Sequence, residues 1–167
     1  MRYRDKIKKI KSFGKEYFLR KDIYSLDIPD KGCNKIYLQT IIKKYPWIHK
    51  SYLKFLELFN GGEYDDIRLL GDENCKNGSI LETARIFSSF SVDKIPIAKD
   101  SAGDVFWLDK DGKIYWISIE NIGDQSSSTF IAKNFEDFMD SFCLGKKFRE
   151  HYGDNEWTEF LKSQHWI

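Results

Sequence analysis

The sequence predicts an α+β fold: a single domain with a mostly antiparallel sheet, a central meander and helices packed against it. Between Ile95 and Ile117, the turn-forming stretches 101–104 and 109–112 separate three short apolar runs, which is the pattern of a three-stranded antiparallel meander. On both sides of this stretch, apolar residues recur every three or four positions, which is the spacing of amphipathic helices.

The second and third runs of the meander are apolar at every position. These runs are Val105–Leu108 and Ile114–Ile117, and neither alternates between apolar and polar residues. Both faces of this part of the sheet must therefore be covered, either by helices of this chain or by a partner. Pro96 in the first run predicts that its strand lies at an edge of the sheet or that its amide side faces outward, because proline donates no hydrogen bond.

Length and composition limit the class of protein. A chain of 167 residues is long enough to bury about two thirds of its unfolded surface in one domain. No run approaches the roughly 18 apolar residues of a membrane span, and the charged opening residues lack the apolar core of a signal peptide. We therefore expect a cytoplasmic protein with no membrane contact.

The first 21 residues predict a basic amphipathic helix. They contain nine Lys or Arg residues but only two acidic residues. An apolar face at helical spacing is formed by Tyr3, Ile7, Ile10, Phe13 and Tyr17. We interpret this segment as a packed helix with a solvated basic face and expect no nucleic acid as a partner. Nucleic-acid binding through this helix is the less favoured alternative.

The remaining elements follow from apolar spacing and capping residues. Ser79 followed by Glu82 is a capping box, and Asn134 is placed to cap a later helix. In chain order, the sequence predicts helices over 36–45 and 48–59, a first strand over 67–70, a helix over 80–87, the meander, a strand over 130–132, a helix over 135–142 and a C-terminal helix over 154–164.

Several of these pieces, in this order, resemble the SUKH superfamily. The pieces are Pro46, Tyr52, Phe55-Leu56, Asn60-Gly61-Gly62, Ile95-Pro-Ile-Ala98, Gly103-Asp104, Ile131-Ala132 and Phe135-Glu-Asp-Phe138. The resemblance is strongest over residues 45–143. It implies a single SUKH-like domain over 1–167, in which the basic helix 1–21 and the C-terminal helix 154–164 are additions.

The resemblance also implies a function. Bacterial members of the superfamily are immunity proteins that neutralise a toxin by binding it, and fungal members regulate the synthesis of cell-wall glucan. Neither group implies a catalytic centre. The resemblance therefore predicts a non-enzymatic immunity protein whose partner is a cognate bacterial toxin, with a nuclease as a candidate for that toxin. A regulatory or scaffold protein related to the cell-wall regulators is the alternative.

Chemistry-bearing residues do not form a recognisable catalytic or metal-binding motif. His49, His151 and His165 are far apart in the sequence. Cys33 and Cys75 belong to a set of three widely spaced cysteines that contains no CxxC pair. We therefore expect no catalytic residues, no cofactor and no metal site.

A small metal-dependent nuclease is a third alternative. It would use Asp111-Gly-Lys113 as an acid-x-Lys element and Asp104 as a metal ligand, because phosphodiester cleavage needs carboxylates on a metal and a nearby cation. A tight hairpin turn at the Asp-Gly dipeptide is the favoured interpretation of the same residues.

A partner-binding surface is the remaining hypothesis. Two tryptophans lie on neighbouring strands of the meander, and acidic residues cluster in three loops. If the fold brings these loops together, they form a negative patch suited to the cationic active site of a nucleic-acid-cleaving toxin. Buried tryptophans and solvated acidic loops are the alternative. The candidate residues are Glu63, Tyr64, Asp65, Asp66, Asp100, Asp104, Trp107, Asp109, Asp111 and Trp116.

Overall fold

Seven antiparallel strands form one sheet, in which each strand pairs with its neighbours along the chain. The computed structural model describes residues 2–89 and 93–167. The strands are β1 Leu26–Asp27, β2 Gly62–Tyr64, β3 Ile67–Leu69, β4 Lys94–Lys99, β5 Val105–Asp109, β6 Ile114–Ile117 and β7 Thr129–Ala132. The predicted α+β fold with a central meander is confirmed, and β1 and β2 are strands that the sequence analysis missed.

Helices occupy both ends of the chain and the connections between strands. Within 2–89 and 93–167, none of them has the length and apolar character needed to cross a membrane. The helices are α1 Tyr3–Phe13, α2 Lys15–Leu19, α3 Lys35–Lys44, α4 Lys50–Leu58, α5 Ile80–Ile86, α6 Phe135–Asp137 with its continuation as a π-helix over Phe138–Cys143, α7 Lys146–Tyr152 and α8 Glu156–Ser163.

Strand β5 is buried on both of its faces. Phe106 faces the main core, where its ring lies 5.3 Å from that of Phe138 and 5.4 Å from that of Phe142 in the π-helix. Trp107 points to the opposite face, where it belongs to a smaller apolar cluster with Val105. All three strand residues have 0% exposure. Segments of this chain thus cover both faces of the strand, which was one of the two possibilities that the sequence allowed.

Pro96 does not mark an edge strand. Strand β4 pairs with β3 on one side and with β5 on the other, so the first of the two predicted alternatives, an edge strand, is wrong. The β4–β5 register shifts between Pro96 and Ala98, and β3 reaches only Ala98 and Lys99 of β4. Pro96 therefore lies beyond the end of β3, at a position where no neighbouring strand needs its missing amide hydrogen.

The helix predicted over 1–21 is divided in two. It breaks at Gly14, whose φ of 74° is readily adopted by glycine, and α2 continues beyond the break. Met1 lies outside the described residues. At the other end of the chain, α8 is shorter than the predicted 154–164 helix, because Asn155 caps it by accepting a hydrogen bond from the amide of Thr158.

A buried lysine joins α1 to the π-helix. The Lys6 side chain donates hydrogen bonds to the carbonyl oxygens of Leu144 at 2.8 Å and Asp140 at 3.0 Å. These carbonyls lie at the end of the π-helix, where backbone acceptors lack partners within the helix. Burial lowers the pKa of Lys6, and the nearby Asp140 carboxylate partly opposes this effect.

The two edges of the sheet differ in how they are protected. At β7, the Lys147 ammonium donates a hydrogen bond of 3.0 Å to the carbonyl oxygen of Ile131. At the other edge, β1 is only two residues long and pairs with β2 alone. A lysine at an edge reduces pairing with other chains, and a very short edge strand leaves only a few main-chain groups open to such pairing.

We expect Lys6→Met to destabilise the fold by about 1–3 kcal/mol, because the carbonyl groups of Asp140 and Leu144 lose their charged donor. Urea unfolding measures the change. Lys8→Met is the control, because Lys8 lies on the same helix with an exposed side chain. Equal unfolding free energies for the two variants would contradict an anchoring role for Lys6.

Candidate functional site

Two of the three acidic loops meet at one end of the sheet. The β2–β3 turn carries Asp65 and Asp66, and the Asp66 carboxylate accepts a hydrogen bond from the hydroxyl of Ser101 in the β4–β5 turn. The side-chain amide of Asn155 donates to Asp65 at 2.7 Å, which brings the start of α8 to the same place. We define the acidic edge as Asp65, Asp66, Asp104 and Glu156, of which Glu156 acts electrostatically on Asp65 and Asp104 lies in the Ser101 turn, where its carboxylate accepts a hydrogen bond of 2.8 Å from the amide of Ile119.

Asp100 lies beside this edge but has a structural role. Its side chain is buried, and one carboxylate oxygen accepts hydrogen bonds from the amides of Ala102 and Asp104, both at 3.0 Å. The other oxygen accepts from the indole nitrogen of Trp116 at 3.2 Å and from the Tyr152 hydroxyl at 3.3 Å. Asp100 therefore fixes the β4–β5 turn instead of presenting its charge to a partner.

Three further predicted residues do not present their side chains to solvent. Glu63 is buried and forms ion pairs with Lys76 at 2.9 Å and Arg68 at 3.4 Å. Tyr64 and Trp107 have 0% exposure and belong to the apolar interior. Direct contact of Tyr64 or Trp107 with a partner is therefore incompatible with this fold, because both side chains are already surrounded by the chain itself.

The third acidic loop lies at the opposite end of β5. The Asp109 carboxylate closes the β5–β6 turn by accepting hydrogen bonds from the amides of Asp111 at 2.9 Å and Lys113 at 2.8 Å. Asp111 itself is exposed. The expected patch of three loops is therefore reduced to two, and Asp109 and Asp111 lie outside the acidic edge.

The nuclease arrangement is not assembled. Asp104 precedes β5 and Asp111 follows it, so a five-residue strand separates them by roughly 17 Å. One metal ion cannot bind both carboxylates over that distance. In the described part of the chain, no group of three or more His, Cys, Asp or Glu side chains is placed to hold a metal ion.

The environment of Asp65 disfavours the ionised form of its carboxyl group. Burial, followed by the negative charge of Asp66, raises the pKa of Asp65 from 3.8 to about 6, although the hydrogen bond from Asn155 opposes the shift. Its backbone also has a φ of 56°, which is uncommon outside glycine but is adopted more readily by Asp and Asn than by other residues. At neutral pH, ionised Asp65 therefore opposes folding.

A sequence model of the SMI1 / KNR4 family (SUKH-1) matches residues 32–141, about two thirds of the chain. This chain belongs to the SMI1 / KNR4 family (SUKH-1). Membership confirms the SUKH resemblance and supports a role of the immunity or regulator type. The match includes β2 to β7, whereas α1, α2, β1, α7 and α8 lie outside it. No curated protein matches the chain.

Within the SUKH-1 region, the Asn60-Gly61-Gly62 piece has a structural role. The Asn60 side chain donates to the Asp72 carboxylate at 2.7 Å and accepts from the Asp72 amide at 2.8 Å. The other Asp72 oxygen accepts from the amide of Asn34, the residue that caps α3. A Cβ on Gly71 would lie 2.1 Å from the Asn60 side-chain oxygen. These residues tie three loops together and lie apart from the acidic edge.

Sequence reasoning missed the participation of α8 in the acidic edge. Asn155 was recognisable as one of two candidate helix caps, since an Asn or Asp before an apolar stripe is a common start signal. Its contact with Asp65 joins residues that are 90 positions apart. No local pattern reports such a contact.

We expect Asp65→Asn to stabilise the protein at pH 7 by about 1 kcal/mol, a value reduced for solvent screening because Asp65 is only partly buried. Asparagine keeps the acceptor for Asn155 and tolerates the positive φ. The raised pKa makes the wild-type penalty complete above about pH 6 and removes it as the pH falls towards 3.8. Urea unfolding at several pH values measures this, with Asp111→Asn as the control. A gain that does not shrink in acid would contradict the assignment.

Proposed function

We propose that this protein is a non-enzymatic immunity protein that binds and neutralises a cognate bacterial toxin in the cytoplasm. The observation that carries the proposal is the acidic edge, in which two loops and the start of α8 gather carboxylates on a SUKH-1 scaffold. The bacterial immunity proteins in the superfamily that this chain resembles neutralise toxins by binding them. Toxins that cleave nucleic acids need cationic active sites, to which such an edge is complementary.

Charge attraction, more than contact between apolar side chains, supports the acidic edge as a binding surface. A cluster of like charges on one side of a small protein steers an oppositely charged partner and raises the rate of association. The turns that carry these charges are held in place by the Ser101–Asp66 hydrogen bond and by the bonds to Asp100. Ordered loops lose less conformational entropy on binding, which favours a tight complex.

We further propose that residues 1–167 act as one SUKH-like domain, with the strongest resemblance over 45–143 and the terminal helices as additions. Packing between the two additions supports this view. The Phe160 ring of α8 lies 5.9 Å from Phe13 of α1 and 5.1 Å from Phe18 of α2. The indole nitrogen of Trp157 donates to the carbonyl of Cys143 at the end of the π-helix.

The decisive experiment is co-expression with the product of the adjacent gene. An immunity protein co-purifies with that product and rescues cells from its toxicity. Failure to bind a neighbouring toxin counts strongly against the proposal. If the neighbouring gene encodes no toxin and the partners belong to wall synthesis, the regulatory alternative replaces it.

We expect the double variant Asp66→Lys, Glu156→Lys to slow association with the purified toxin by about tenfold or more at low salt. The difference shrinks as salt is added, because surface charges are screened. Stopped-flow fluorescence measures the rate. Glu57→Lys, Asp111→Lys is the control, since it makes the same change in net charge at exposed positions elsewhere. Equal slowing by both double variants would show that total charge, and not the acidic edge, steers the toxin.

A further inference from the structure

An apolar groove lies between the N-terminal helices and strand β1. It holds about 350 Å³, which is within the range of pockets that accept ligands. Three of its lining residues, Ile10, Phe18 and Ile23, are buried. Two others, Leu19 and Tyr24, are 41% and 70% exposed. Large apolar side chains that remain exposed around such a groove indicate a surface that another molecule covers.

The strand side of the groove has unused main-chain groups. The amide of Asp65 donates to the carbonyl of Ser25, and Leu26 is paired with Tyr64. In an antiparallel ladder, this pattern makes Leu26 and Tyr64 a non-hydrogen-bonded pair, so the amide and carbonyl of Leu26 point away from β2. Over residues 2–89 and 93–167, no hydrogen bond reaches these two groups. Leu26 and its neighbours also line the groove.

Charge differs between the two ends of the groove. At one end, Lys11 of α1 forms an ion pair with Asp30, which joins the helix to the segment after β1. At the other end, the Tyr24 hydroxyl donates to Asp22 at 2.7 Å. This hydrogen bond raises the pKa of Tyr24, and the charge of Glu156 adds a smaller effect, so both acids lie close to the tyrosine. Asp22 and Glu156 also line one pocket together with Asp154, Glu159 and Lys21, so carboxylates outnumber the cation there, and this end continues into the acidic edge through Glu156.

We propose that this groove binds an extended segment of a partner protein, which adds as an eighth strand beside β1. Its apolar side chains enter the groove and its basic residues lie over Asp22 and Glu156. Addition of a strand to a free sheet edge is a common mode of peptide recognition, in which main-chain bonds give affinity and side-chain pockets give specificity. The negative end at Tyr24 selects a basic segment, and the buried floor selects apolar residues at alternate positions.

The proposal rests on the proposed function only in taking a protein as the partner. The groove is built from α1, α2 and residues 23–30, all outside the region that matches the SUKH-1 family. It is therefore a binding surface of the segment added to the family domain. The acidic edge and the groove meet at Glu156, so one partner can use both surfaces.

A phage-displayed library of random linear peptides, selected on the full chain, tests the proposal. We expect enriched peptides to combine alternating apolar residues with Lys or Arg at one end. Their binding protects the Leu26 amide from hydrogen exchange. Leu19→Glu weakens binding by about tenfold or more, because a charge enters the apolar groove. Ile36→Glu leaves binding unchanged, since Ile36 is 73% exposed on α3, outside the groove. Methylation of the peptide nitrogen that faces Leu26 abolishes binding.

Several results would overturn the proposal. These are a selection without enrichment, peptides that bind Leu19→Glu as well as wild type, and bound peptides that leave the Leu26 amide unprotected. A dimer of the free chain that Leu19→Glu dissociates would assign the groove to a second copy instead. If the protein binds the selected peptides but does not neutralise a toxin, only the proposed function is refuted. If it neutralises a toxin but enriches no peptides, only the proposal that the groove binds an extended segment is refuted.

Discussion

Burial of strand β5 on both faces is the constraint on which the rest of the structure depends. Four consecutive residues of this strand, Val105 to Leu108, have no exposed surface. Fully burying a large apolar side chain contributes about 1.5–3 kcal/mol, so the chain must supply cover on two sides to retain this gain. The π-helix covers one face, and Phe87 and Ile122 pack against the other. Lys6 in turn binds the end of the π-helix.

Because both faces of β5 are covered, charged side chains that remain accessible to a partner lie in the turns at the ends of the strands. A meander places successive turns at alternate ends of the sheet, so turns separated by two strands lie side by side. The β2–β3 and β4–β5 turns stand in this relation, and their contact between Asp66 and Ser101 follows from it. Packing thus brings the two turns together, and burial, followed by the charge of the adjacent Asp66, raises the pKa of Asp65.

Sequence reasoning recovered the features that are encoded locally. The meander, the Ser79 and Asn134 caps and the last helix follow from spacing and from single capping side chains. Strands β1 and β2 were not predicted, because segments of two and three residues are too short to show an alternation of apolar and polar side chains. The separation of Asp104 from Asp111 was within reach, since two consecutive hairpin turns must lie at opposite ends of a sheet. The contact of Asn155 with Asp65 was not, because nothing near either residue encodes it.

The hydrogen bond from the Lys147 ammonium to the Ile131 carbonyl makes the two edges of the sheet unequal in their capacity to accept a further strand. At one border a lysine side chain occupies a main-chain carbonyl, whereas at the other the amide and carbonyl of Leu26 face outward. In such a sheet, the β1 edge is the place where a further strand can pair. With strand addition at β1 as proposed, each copy of the chain offers one site for extension of the sheet, which disfavours open-ended filaments.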